Sequence, residues 1–159
     1  PNATYWTNEV HYEWAYNANA REAASFLKEN FVPLKDMGIL QMIDVEQGIS
    51  FSDHITLDFV YGHTEAMMLP NIILPSGDTL VYCADLIPSH HHIPLPYVMA
   101  YDVQPLQTLT EKAVLLDKAS DGRHLLFFEH DLDVPCGTVI RNDRGRIVFD
   151  KKIYISDIL

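Results

Sequence analysis

His63, Asp85 and His130 are the residues of this chain whose types could do chemistry together. Each stands where an apolar, strand-like run gives way to a loop: Gly62-His63-Thr64-Glu65, Tyr82-Cys83-Ala84-Asp85 and Phe127-Phe128-Glu129-His130-Asp131. A rigid strand end can hold a metal ligand still while leaving its donor atom open to a pocket. Imidazole nitrogen and carboxylate oxygen suit zinc, and also manganese or iron. A divalent cation held this way lowers the pKa of bound water to about 7, which hydrolysis at neutral pH requires. The three residues lie 22 (85 minus 63) and 45 (130 minus 85) positions apart, so only a fold that aligns three strand ends can gather them.

Singly, each has an ordinary structural reading. His63 could be a buried histidine bonded within a sheet, Asp85 a carboxylate capping the turn after a strand, and His130 a polar strand end. The acidic neighbours Glu129 and Asp131 could equally orient the His130 imidazole. In the run His90-His91-His92, an extended backbone would point His90 and His92 to one side and His91 to the other. That makes His90 and His92 candidates for lining a substrate pocket. His11, His54 and His124 read as structural, and Cys83 as a small buried residue with no base to activate it. Trp6, Trp14, Tyr5, Tyr12 and Tyr16 read as packing.

The elements that must position these side chains follow from periodicity. Residues 8–29 hold no Pro or Gly, so a helix is expected over 10–28 with Asn8 as its cap. A short turn or single helical turn over 32–38 ends at Gly38. Short strands are expected over 39–45 and 48–51, then a longer one over 55–61 whose Ile55, Leu57, Phe59 and Tyr61 share one face. A hairpin follows, 67–74 and 79–84 joined by Pro75-Ser76-Gly77-Asp78, and it delivers Asp85 at its exit. Residues 86–102 are rich in Pro and His and read as a functional loop with a short helix near 97–100. Leu106, Leu109, Ala113 and Leu116 fall at helical spacing over 104–118, with Pro105 in the first turn. A buried strand over 124–129 and a hairpin over 137–152 complete the chain. The order of elements implies an α+β or layered α/β domain, a mixed β-sheet covered by helices.

Composition narrows the function. The 159 residues suit one domain, and 48% hydrophobic content is enough for a core. Eleven Lys and Arg against twenty-two Asp and Glu give a net charge of −11, which repels nucleic acid and anionic membrane surfaces. No apolar run approaches the length of a membrane span. Two unpaired-looking cysteines favour a reducing compartment, hence the cytoplasm. The abrupt apolar opening Pro1-Asn2-Ala3-Thr4-Tyr5-Trp6 looks cut from a longer protein.

Taken in order, Gly62-His63-Thr64, the hairpin ending in Cys83-Ala84-Asp85, the helix opened by Asp102-x-x-Pro105 and the strand ending in Glu129-His130-Asp131 resemble the C-terminal half of the metallo-β-lactamase superfamily. Pro1-Asn2-Ala3-Thr4-Tyr5 resembles the segment before the lid helices in its lactonase and organophosphate hydrolase branch. The resemblance implies half of an αββα sandwich with a site for two divalent metal ions, most readily Zn. His63 would belong to the first metal, Asp85 would bridge both as the catalytic carboxylate, and His130 would complete the second. A hydroxide between the metals would attack a lactone, ester, amide or phosphotriester of a small-molecule substrate.

The chain departs from the family pattern twice. The superfamily's His-x-His-x-Asp-His run is absent, so an N-terminal half of the same protein is the expected partner and the chain alone is expected to be inactive. Family members often carry Gly where this chain has Ala66. A half-domain would expose strand edges and apolar faces, so association into a dimer or other homo-oligomer is expected. The rival expectation is a noncatalytic binding or oligomerisation module with remnant ligands.

Overall fold

Strand alternation builds most of the molecule. The computed structural model describes residues 2–158, so Pro1 of the opening motif lies outside the described residues. Seven strands form one mixed sheet in chain order, β3 (Ile49–Ser52), β4 (Ile55–Val60), β5 (Met67–Ile73), β6 (Thr79–Tyr82), β7 (His124–Phe127), β8 (Cys136–Arg141) and β9 (Ile147–Lys152). Every pairing is antiparallel except β6 with β7. That parallel pair needs a crossover, and α3 (Pro105–Ala119) supplies it. Two further short strands, β1 (Tyr5–Thr7) and β2 (Leu40–Met42), pair in parallel as a separate ribbon. The α+β reading with a mixed sheet is thus the observed one.

α3 covers one face of the sheet. Leu116 and Ala119 pack on Val60, Leu69, Val81, Leu126 and Val139, and residues from the loop after β6, Leu86, Ile87 and Ile93, close the same core. The opposite face carries Leu74, Leu80, Leu125 and Cys136 under a C-terminal segment with Ile153, Ile155 and Ile158. On that face Met68, Pro70, Ile72 and Phe127 are only half-buried.

Several sequence expectations shift, among them the single helical turn expected over 32–38, which belongs to a longer helix. The helix expected over 10–28 is α1 (Glu9–Tyr16), followed by turns and then by α2 (Lys28–Asp36). Asn side chains stop it: Asn17 Nδ2 donates to Glu13 O at 3.0 Å, and Asn19 Oδ1 accepts from Arg21 N at 2.9 Å, so local side-chain bonds compete with the helical ladder. Asn8 caps α1 as expected, its side chain accepting from His11 N at 2.7 Å. The His90–His92 run is a turn of 3₁₀ helix, not extended chain, because the Asp131 carboxylate takes the His90 N–H at 2.8 Å. Residues 97–99 are irregular chain and Ala100 enters a turn, with no helix.

The buried stripe of α3 is Thr108, Lys112, Leu116 and Ala119, while Leu106, at 78% exposure, faces solvent. Lys112 is fully buried, and its Nζ donates to His92 O at 3.0 Å, Pro94 O at 3.2 Å and Tyr97 O at 2.6 Å. Burial pushes its amine down to about 8, so it remains mostly protonated at neutral pH and its three bonds are charge-assisted. It ties the Pro-rich loop to the helix. Lys112→Met leaves three carbonyls without that donor and is expected to destabilise the fold by about 3 kcal/mol. In urea this appears as a lowered midpoint at unchanged slope.

Candidate metal centre

The end of β4 sets the position of His63. The Tyr61 and Gly62 N–H groups both donate to the Glu111 carboxylate of α3, at 2.8 and 3.0 Å, while Gly62 O accepts from Gln104 N at 2.8 Å. The helix lies so close that a Cβ at Gly62 would overlap the Thr108 backbone, so only glycine fits. After His63 the chain turns through Ala66 at φ +49°, a left-handed conformation that a non-glycine residue adopts at a cost. Asn8 Nδ2, donating to Ala66 O at 2.9 Å, and His11 Nδ1, donating to Glu65 O at 2.6 Å, hold that turn from α1. Ala66 thus holds a backbone conformation that glycine adopts freely.

His63 then bridges two carboxylates. Its Nδ1 lies 2.8 Å from Asp102 Oδ1, and its Nε2 lies 3.2 Å from Asp85 Oδ2. Asp102 is 3% exposed and also accepts from Met99 N at 3.2 Å, so it is a fixed anchor. Burial works against charge on His63, but the Asp102 and Asp85 carboxylates outweigh it and hold the pKa at about 9. Asp102 was read from the sequence only as the opening of a helix. Its 39-residue separation from His63 left no local signal of the contact.

Asp85 sits on a 3₁₀ turn, Ala84–Leu86, straight after β6. Its Oδ1 lies 3.3 Å from His130 Nε2, so its two oxygens face the two histidines. Hydrogen bonding and charge from His63, against burial and with help from His130, hold the Asp85 carboxyl below the usual carboxylate range. Oδ1 is buried and makes no hydrogen bond of acceptable geometry, His130 Nε2 at 3.3 Å included. A buried, charged oxygen left without a donor is costly, and a cation is the partner this donor set fits. Asp85, Glu129 and His130 offer ligand atoms all within 4.8 Å of one another. Glu129 Oε1 is 3.6 Å from His130 Nε2, and its other oxygen accepts from Tyr82 O–H.

The three expected ligands therefore meet, with Glu129 added beside them. Asp131 does not orient His130; it accepts from both the backbone and the ring of His90, and these bonds hold its carboxyl at about 2 against the effect of burial. His90 also lies against Phe149, and His92 Nδ1 is 2.8 Å from Ser89 Oγ. Neither is among the residues lining the cavity of about 460 Å³ onto which His63, Asp85 and His130 open. His11, read as structural, does line that cavity in addition to bracing the turn. Cys83 is fully buried and its thiol pushed up by burial, in keeping with a packing role.

Solved structures share this architecture. The hydrolase AbOPH of the β-lactamase superfamily matches with a TM-score of 0.76 at 14% identity, over 97% of this chain and 56% of its own. AidC, a dizinc quorum-quenching lactonase solved with its product N-hexanoyl-L-homoserine, gives 0.72 at 18% identity, over 98% and 56%. A probable metal-dependent hydrolase from Staphylococcus aureus gives 0.76 at 20% identity, over 96% and 54%. No protein-family model and no curated protein sequence matches the chain. The fold is that of the metallo-β-lactamase superfamily hydrolases, and the chain spans about half the length of the solved structures it matches.

The Asp102–His63 pair makes a measurable statement about tautomer. Asp102→Ala is expected to release the imidazole from its single orientation. Nitrogen-15 NMR of the His63 ring in the metal-free protein checks it at a pH above the imidazole pKa of about 9, where the ring is neutral: a protonated Nδ1 in the wild type and averaged nitrogens in the variant.

Proposed function

We propose that this chain is the C-terminal part of a metal-dependent hydrolase acting on a small lactone, ester, amide or phosphotriester. The observation that carries the reading is the meeting of His63, Asp85 and His130 from three strand ends at one cavity, with Asp85 Oδ1 buried and unsatisfied. In this reading His63 and Asp85 Oδ2 serve one divalent cation, and His130 and Asp85 Oδ1 serve a second, with Glu129 beside it. Zinc is the best match to imidazole and carboxylate donors, with manganese or iron as substitutes. Such cations, when bound, supply an ionised water at neutral pH and polarise the bond under attack.

The chain's own residues do the rest. Asp102 fixes the His63 ring so that Nε2 is the donor presented to the cavity. Phe26, Met67 and Met99 give the cavity an apolar wall suited to an acyl or alkyl group. His90 and His92 contribute through the loop they fold, which leads on to Met99 and Asp102. AidC was solved with an acyl-homoserine product, and a small acyl substrate fits a cavity of this size here.

Three ligands shared between two cations leave both sets short of four donors. The remaining donors are assigned to an N-terminal half bearing His-x-His-x-Asp-His, which would also cover the half-buried face of Met68, Pro70, Ile72 and Phe127. Without it the chain is expected to be inactive and to self-associate. A noncatalytic module would leave the unsatisfied Asp85 oxygen without an explanation.

The test is on the complete protein. Elemental analysis is expected to find divalent metal, and His130→Ala is expected to lower hydrolysis at least about 100-fold while lowering metal content. Absence of metal, or unchanged hydrolysis in the variant, refutes the proposal.

A further inference from the structure

The cavity in front of the candidate ligands has a single lysine or arginine among its lining residues, Arg21. The loop that carries it is firmly built. Asn19 Oδ1 accepts from Arg21 N at 2.9 Å and Glu22 N at 3.2 Å. Glu22, 8% exposed, turns its carboxylate inward, where it accepts from Thr64 Oγ1 at 2.7 Å, Trp14 Nε1 at 2.9 Å and Asn19 Nδ2 at 2.5 Å. Neutral donors satisfy Glu22, and it makes no ion pair with Arg21. Arg21 instead lies outward and donates through Nη2 to Ala100 O, joining the loop after α1 to the loop before Asp102.

Arg123 and Arg141 each pair with an aspartate, Asp78 and Asp117, but no described carboxylate lies within ion-pair distance of the Arg21 guanidinium. One carbonyl occupies one of its five N–H donors and cancels none of its charge. A cation kept free at the mouth of a pocket, in a chain of net charge −11, is a recognition element for an anion.

We infer that Arg21 makes this cavity select ligands that carry a carboxylate on a short apolar chain. The carboxylate docks on the guanidinium and the chain lies against Phe26, Met67 and Met99. As a statement about substrates this rests on the hydrolase reading; as a statement about binding it needs no metal. His11, whose Nδ1 donates to Glu65 O, lines the same cavity.

The test is an NMR titration of the complete protein, stripped of metal by a chelator that is then dialysed away, with sodium hexanoate and with 1-hexanol at matched ionic strength. Hexanoate is expected to bind about tenfold more tightly, the effect of one charge-assisted contact at a partly exposed site, with shifts at Arg21, Phe26 and Met99. Arg21→Gln is expected to bring the two ligands to parity, and Arg21→Lys to keep a reduced preference. Equal affinities in the wild type, a preference that survives Arg21→Gln, or no hexanoate shift at these residues overturns the inference. Failure of the hydrolase reading would show in metal content and in His130→Ala and would leave this titration unchanged, so the two failures are distinguishable.

Discussion

Two backbone N–H groups at the end of β4, those of Tyr61 and Gly62, share one carboxylate, and the placement of His63 follows from that pairing. A strand that ends leaves its next amides without a ladder partner, and a buried amide without an acceptor is costly. Glu111 takes both, and because it sits on α3 the exit angle of the strand becomes a property of the helix. Gly62 permits the approach, Gln104 closes it from the carbonyl side, and Asp102, just ahead of the same helix, fixes the imidazole. One rigid element thus supports the strand end, the ring orientation and, through Lys112, the loop between Asp85 and Asp102.

The opposite side of the same turn is held by α1 and the loop after it. Asn8, His11 and Glu22 reach Ala66, Glu65 and Thr64, so three consecutive residues after His63 are each bonded to the N-terminal segment. These bonds offset the left-handed backbone at Ala66. They also explain why cavity wall and ligand support come from the same residues: His11 and Glu22 line the pocket and brace its floor. The site is acidic where cations are expected, at Asp85 and Glu129, and its one lysine or arginine is Arg21 near the mouth.

Much of the architecture was legible along the chain. Leu57 and Phe59 alternate as a half-buried strand should, Gly77 turns the hairpin before Asp85, and Pro105 opens α3 where its missing N–H costs nothing. The order of Gly-His-Thr, Cys-Ala-Asp and Glu-His-Asp motifs pointed to a fold whose strand ends converge. Misreadings arose where a polar side chain outweighed the pattern. Asn17 and Asn19 broke a helix that contained no Gly or Pro. Thr108 and Lys112 occupied the buried face of α3 where Leu106 was expected, because three loop carbonyls offered Lys112 partners that apolar periodicity does not count.

The sequence by itself determined the donor types and their strand-end positions, since each of these depends on residues a few positions apart. Only the tertiary structure decided which carboxylate serves which histidine. Asp131, next to His130, turns away to His90, while Asp102, 39 positions from His63, becomes its anchor. Hydrogen bonds act over about 3 Å whatever the separation along the chain, so second partners such as Asp102, Glu111 and Glu22 are fixed by how α1 and α3 pack and leave no periodic trace in the sequence.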